Sequence, residues 1–192
     1  MLHLDPIWMA DNQQANFRLL LDAMARPGQC YSLIITPEKG LAALALLATL
    51  LDSEVSLADP HALLHKDDWP MLQAKSVHAE QADYVICDGN HAPIFKPKLG
   101  TLPSPDQSAT LILVVDSIVD GNGDTSANSD IHLTLTGPGI ASRNQLLIKG
   151  LNKQWLEKRE DWVCTFPLGV DFILVDDRQM VAIPRTTKVE KI

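Results

Sequence analysis

Two histidines four residues apart, His61 and His65, are the first arrangement in this chain whose type and spacing could do chemistry. On a helix that interval puts both imidazoles on one face, within reach of a single metal ion. The residues between them are Ala-Leu-Leu, without the glutamate of the zinc-protease pattern, and no third ligand follows, so surface histidines are the favoured reading. His3, His78, His91 and His132 add no spacing that changes this. Nucleophilic catalysis fares no better. There is no Gly-x-Ser-x-Gly elbow, and Cys87 and Cys164 carry no local family signature. Cys30 and Cys87 fall in apolar, strand-like runs that predict inert core thiols. Gly137-Pro138-Gly139, with Arg143 close behind, has the form of a phosphate cradle, but it lacks the P-loop lysine and serine and its proline removes an amide. A structural turn is favoured there. Asp176-Asp177 superficially resembles a metal pair, yet adjacent strand residues point to opposite faces, so a hairpin turn is expected. Gly100-Thr101 and Ser108-Ala109-Thr110 offer amides and hydroxyls whose simplest use is capping. No catalytic signature results.

The elements that must position these residues are legible as a mixed-sheet α/β pattern. Phe17, Leu20, Leu21 and Met24 recur at helical spacing between Asp11 and Arg26, and Pro27-Gly28 stops the helix. Tyr31 to Ile35 reads as a strand. Thr36 and Pro37 then start an Ala/Leu-rich helix to Leu51 that packs on more than one side. Glu54 to Leu57 is a short strand, Asp59-Pro60 is a second cap-plus-proline helix start, and Lys66 to Ala82 is helical in part. Asp83 to Cys87 is strand-like. The proline-rich stretch from Asp88 to Gln107 is a long loop, a functional or interaction surface in a compact domain. Ala109 to Val115, continuously apolar, predicts a central strand covered on both faces. After a mobile tip from Gly121 to Asp130, Ile131, Leu133 and Leu135 alternate with polar residues, so a half-exposed strand should return antiparallel to the previous one. Ser142 is positioned to cap a helical stretch toward Arg159, with Gly150 as a point of interruption. Phe172 to Val175 and Met180 to Ile183 form a hairpin about Asp177-Arg178, which brings Asp171 beside Arg185 to within one residue of register.

With 192 residues the chain is expected to be one domain, 1–192. Its net charge of −8 argues against nucleic acid as a partner, which requires a basic stripe. The densest basic cluster, Lys149, Lys153, Lys158 and Arg159, reads as a solvated helix face. Three cysteines, odd in number and far apart, fit a reduced cytosolic setting, and the N-terminus lacks the basic and apolar regions of a signal peptide. The apolar run from Gly40 stops at Asp52, short of a membrane span, so a buried helix and no membrane are expected.

Several short segments identify a family in their order. They are Phe17-Arg18, Ala23 to Gly28, Thr49 to Asp52, Gly100-Thr101 with Ser108-Ala109-Thr110, Leu135 to Ile140, Phe166 to Asp171 and Ile183 to Thr187. Together they resemble the PhnH subunit family of the bacterial carbon–phosphorus lyase system, whereas Asp59 to Ala92 and Asp120 to Ser129 carry no recognisable wording of it. The resemblance implies a three-layer α/β/α fold related to the large domain of pyridoxal-phosphate-dependent transferases, without that or any other cofactor. It implies a cytoplasmic, two-fold dimer that joins the G, I and J subunits as a non-catalytic partner. That complex makes alpha-D-ribose 1-methylphosphonate 5-triphosphate from ATP and methylphosphonate during phosphonate catabolism. Gly137, Gly139, Asp171, Arg185, Thr186 and Thr187 become structural or interface candidates, and the dimer patch is expected in the loop from Asp88 to Gln107 or in the C-terminal hairpin. The alternative is an independent phosphate- or nucleotide-binding domain, or a transferase, whose anion site would use Arg26, Arg143 and Arg185.

Overall fold

Asp5 accepts from the Ile7 amide at 3.1 Å, which caps a short 3-10 turn at Pro6–Trp8. The computed structural model describes residues 5–34, 41–121 and 130–191. The Thr36 and Pro37 helix start and most of the tip between Gly121 and Asp130 lie outside the described residues. Helix α1 (Ala10–Ala25) buries Asn16, Leu20 and Ala23, while Phe17 and Leu21 of the predicted stripe face outward. Asn16 belongs inside because its amide is satisfied: Oδ1 accepts from the Ile34 amide at 2.8 Å and Nδ2 donates to the Ile34 carbonyl at 3.2 Å.

After β1 (Tyr31–Ser32), shorter than expected, comes α2 (Leu41–Leu50), buried from Ala42 to Ala48. Among the described residues no helix is long and apolar enough to cross a membrane. Strand β2 (Ser56–Ala58) leads to Asp59, where a turn replaces the expected helix. The Asp59 carboxylate accepts from the Leu63 and Leu64 amides, and Ala62 adopts φ 54°, a left-handed conformation that a helix cannot propagate through. His61 and His65 therefore share no helix face. Then follow α3 (Asp68–Leu72), β3 (Lys75–Ser76), β4 (Tyr84–Asp88), β5 (Thr110–Val114), β6 (Ser117–Asp120) and β7 (Ile131–Thr136). The stretch Asn144–Lys149 is strand β8, and the expected Ser142 helix begins only at α4 (Gln154–Val163). The chain ends in β9 (Asp171–Val175), β10 (Gln179–Ile183) and β11 (Lys188–Lys191).

The larger sheet has the order β1-β10-β9-β5-β4-β2-β3. Strands β3, β2, β4, β5 and β9 are parallel, β10 runs against β9 and β1 runs against β10. The apolar run from Ala109 occupies the centre of this sheet as β5, and the hairpin pairs Val175 with Met180 as its turn predicts. A second, antiparallel sheet has the order β11-β7-β8-β6. Here β7 alternates buried and half-buried residues as expected, but its neighbours are β8 and β11 rather than the strand before it.

Alternation along the strands sorts the core into two. Ile112, Ile173, Val175 and Met180 pack with α1 and α2 on one face. Leu111, Leu113, Phe172 and Leu174 pack with Leu133, Leu146, Ile148, Trp155 and Trp162 on the other. Helices α1 and α2 cover the first face. The four-stranded sheet and α4 together cover the second, where an α/β/α sandwich would have a layer of helices alone; Leu146 and Ile148 of β8, paired between β6 and β7, pack into that core.

The edge of the parallel sheet is tied by Asp83. Its carboxylate accepts from the Ser56 amide at 2.9 Å and from the Ser56 hydroxyl, and pairs with Lys98. Burial pushes this carboxyl upward, but the Lys98 ammonium and the Ser56 donors outweigh it and hold the group below its ordinary range. A depressed folded value adds stability above the unfolded pKa of about 3.9, and that increment is lost as pH falls through the folded value. Because the Asp83 side chain is 38% exposed and solvent screens the pair, Asp83→Asn is expected to cost no more than about 1 kcal/mol at neutral pH and to converge on the parent in acid, once the carboxyl is protonated in the folded state. Urea unfolding at both pH values checks this; an equal difference at both would refute it.

Candidate functional site

In an open α/β sheet, ligands bind beyond the carboxyl ends of parallel strands where the strand order reverses. Here the chain moves outward from β2 to β3 and returns to β4, so the reversal lies between β2 and β4. The loops after these strands bring the His61 and His91 rings to 5.2 Å. His61 Nδ1 accepts from the Asp88 amide at 3.0 Å, the Asp88 carboxylate lies 3.0 Å from His91 Nδ1, and the His91 carbonyl accepts from the Trp155 indole at 2.7 Å. Asp59 and Asp88 line these strand ends, and Asp176 follows β9 farther along the sheet, each accepting from loop amides. No three of these side chains, or of any others described, form a metal-holding group. A carboxylate rim repels phosphate, so the edge does not fit a phosphate-bearing cofactor such as pyridoxal phosphate. His65 stands apart, 3.3 Å from Asp67 on the surface.

The family-like segments converge at two other places. Arg185 is the centre of the first. Its guanidinium reaches Asp171 Oδ2 at 2.6 Å and Oδ1 at 3.3 Å, a two-pronged pair with both side chains largely buried. The same group donates to the Pro105 carbonyl at 2.9 Å, the Pro167 carbonyl at 3.4 Å and the Ser108 hydroxyl. One side chain thereby joins Ser108-Ala109-Thr110, Phe166 to Asp171 and Ile183 to Thr187. Leu102, in the loop closed by the Leu99–Ser108 bridge, and Phe166, next to Pro167, are 69% and 71% exposed, which leaves two large apolar side chains on the surface of segments that the knot ties together.

The second place joins Ala23 to Gly28 with Leu135 to Ile140. Gly139 has φ 82°, and a Cβ there would sit inside the Ala25 carbonyl oxygen and 2.9 Å from Pro27 Cδ. Gly137 lies against the backbone of Thr186 and Thr187, and Asn144 Nδ2 donates to the Pro27 carbonyl at 2.7 Å. The turn is followed by a strand, so the helix N-terminus that a phosphate cradle needs is missing. Nor do the three candidate anion-site arginines gather. Exposed Arg26 pairs with Asp22 and approaches Tyr31, Arg185 is occupied by Asp171, Pro105 and Ser108, and Arg143 is exposed ahead of β8.

Thr186 is exposed, but Thr187 is buried beneath a cleft of about 690 Å³ between α4 and β11. Its floor also contains Arg159, only 3% exposed, where a solvated helix face was expected. The reason is helical spacing: Trp155, Arg159 and Trp162 lie on one face of α4, and both tryptophans are core. That interval was the signal, and the surrounding charge run concealed it. Of the thiols, Cys87 is buried and pushed upward by desolvation, Cys30 is pushed up to about 11 for the same reason, and Cys164 is exposed at the cleft.

Comparison with known proteins matches residues 7–190 to the family model described as bacterial phosphonate metabolism protein (PhnH). The chain is 39% identical, over 95% of its length and 88% of the relative's, to a protein of Stutzerimonas stutzeri named putative C-P lyase subunit protein HtxG. It is 30% identical, over 97% of its length and 93% of the relative's, to the alpha-D-ribose 1-methylphosphonate 5-triphosphate synthase subunit PhnH of Rhizobium meliloti (strain 1021).

Proposed function

This chain belongs to the PhnH family of bacterial phosphonate metabolism proteins, and on that premise we propose that it is a non-catalytic subunit of a cytoplasmic carbon–phosphorus lyase complex. Its place would be beside the G, I and J subunits, supporting synthesis of alpha-D-ribose 1-methylphosphonate 5-triphosphate from ATP and methylphosphonate, the synthase activity in the name of the Rhizobium relative. The seven-stranded mixed sheet supports a kinship with the large domain of pyridoxal-phosphate-dependent transferases, and the acidic strand ends support a role that does without the cofactor.

The observation that carries the subunit reading is the exposure of Leu102 and Phe166 on segments tied together by the Arg185 knot. Large apolar side chains held outward by buried hydrogen bonds are anchors for another surface, either a second copy of the chain or a neighbouring subunit. Asp171 and Arg185 then serve to hold that surface in shape, and Thr186 stands at its margin. Co-expression of the tagged chain with the G, I and J subunits tests this. The chain is expected to retain them through purification, and the Leu102→Asp, Phe166→Asp double variant to lose them, or the self-association of the isolated chain, with unchanged melting temperature. Retention of none by the parent chain would overturn the assignment.

A further inference from the structure

Arg159 carries a charge that the fold leaves poorly compensated. Its Nη2 donates to the Pro184 carbonyl at 2.6 Å and to the Thr187 carbonyl at 3.1 Å, and the group lies 5.7 Å from the centre of the Phe172 ring. Among the described residues its Nε has no hydrogen-bond partner, and neither has Oγ1 of the adjoining Thr187, which is 2% exposed. The nearby carboxylate of Asp171 is taken up by Arg185. Desolvation pulls the Arg159 guanidinium down to about 10, far below the ordinary arginine range. A buried donor left unsatisfied is normally eliminated from a fold, and two side by side at the floor of one cleft point to a ligand that satisfies both.

The cleft has the size and lining that such a ligand needs. Its 690 Å³ falls within the usual range for small-molecule sites. Five cationic side chains line it against two carboxylates, in a chain whose net charge is −8. Lys153 and Lys188 stand at the rim, and Leu156, Val163 and Phe166 form an apolar wall. The lining supplies guanidinium, hydroxyl and ammonium donors, a set that suits the three oxygens of a phosphoryl group.

We propose that the cleft between α4 and β11 binds a small organic phosphate monoester, with its phosphoryl group on Arg159 Nε and Thr187 Oγ1 and its apolar body against Leu156, Val163 and Phe166. Neither donor atom reaches the surface, so binding requires side chains of the cleft floor to move aside. The cleft shares Phe166 and Thr186 with the surface assigned above to a partner, so the titration uses the chain without its partners, and a chain that retains its partners yet ignores phosphate monoesters fails here alone.

Titration of the full chain with phenyl phosphate, followed by calorimetry and by the arginine Nε–H resonances, tests the proposal. Saturable binding is expected, with the resonance that disappears in Arg159→Lys shifting on saturation. Thr187→Val should weaken binding at least tenfold without lowering the melting temperature, because it removes a buried hydroxyl that lacks a partner. Exposed Lys188→Ala should weaken it several-fold and reduce its salt dependence, which keeps the test decisive should Thr187→Val fold poorly. Absence of saturation by about 10 mM, equal affinity in both variants, or equal affinity for sulfate would overturn it.

Discussion

Arg185→Ala is expected to destabilise the fold by about 3–5 kcal/mol, because it removes one partner of a buried ion pair and leaves the other in place. The variant loses more than that pair. Asp171 keeps a carboxylate whose side chain is only 13% exposed, now without its guanidinium, and the Pro105 carbonyl and Ser108 hydroxyl lose a charged donor. Two features make the source identifiable. Asp171→Asn should lower the penalty when combined with Arg185→Ala, giving less than the sum of the single effects, because the double variant has no orphaned charge. Arg185→Lys should recover only part, since an ammonium cannot reach both carboxylate oxygens and two separate backbone segments at once. With total stabilities of domains near 5–15 kcal/mol, the alanine variant stands close to unfolding. A denaturant midpoint within about 1 kcal/mol of the parent would show that the knot does not hold this end of the sheet.

Gly139→Ala should be nearly as severe, by a different route. At φ 82° any side chain has about 1–2 kcal/mol of backbone strain, and the new Cβ would also have to displace the Ala25 carbonyl at the end of α1 and Pro27 Cδ at 2.9 Å. Overpacking against backbone adds roughly another 1–3 kcal/mol. Gly121 supplies the control, because it has φ 83° and, among the described residues, nothing within 4 Å of an added Cβ. Gly121→Ala therefore isolates the strain. The expected fall in melting temperature is about 6–12 °C for Gly139→Ala against about 2–6 °C for Gly121→Ala. Equal falls would mean that the approach of the Gly137-Pro138-Gly139 turn to α1 relaxes freely.

What the chain determined by itself is what local chemistry can carry. Helix α1 is bounded by its own periodicity and by Pro27-Gly28, β5 is an apolar run too short and too β-branched for anything but a covered strand, and the β9–β10 hairpin follows from its Asp-Arg turn. Segment order was enough to reach the family. Tertiary structure decided the rest where local signals were weak or contradictory. Asn144–Lys149 has no alternation to mark it as a strand; it becomes one because β6 and β7 offer it partners on both sides. Asp59-Pro60 has the form of a helix start, yet the left-handed Ala62 and two side-chain caps turn the chain instead. Arg159 looked solvated in a run of charges, and only the packing of Trp155 and Trp162 sends it inward. The partners of Arg185 are 14, 18, 77 and 80 residues away. No propensity or period spans such an interval, since the energy of a contact of that kind exists only once the strands that carry its two ends have paired.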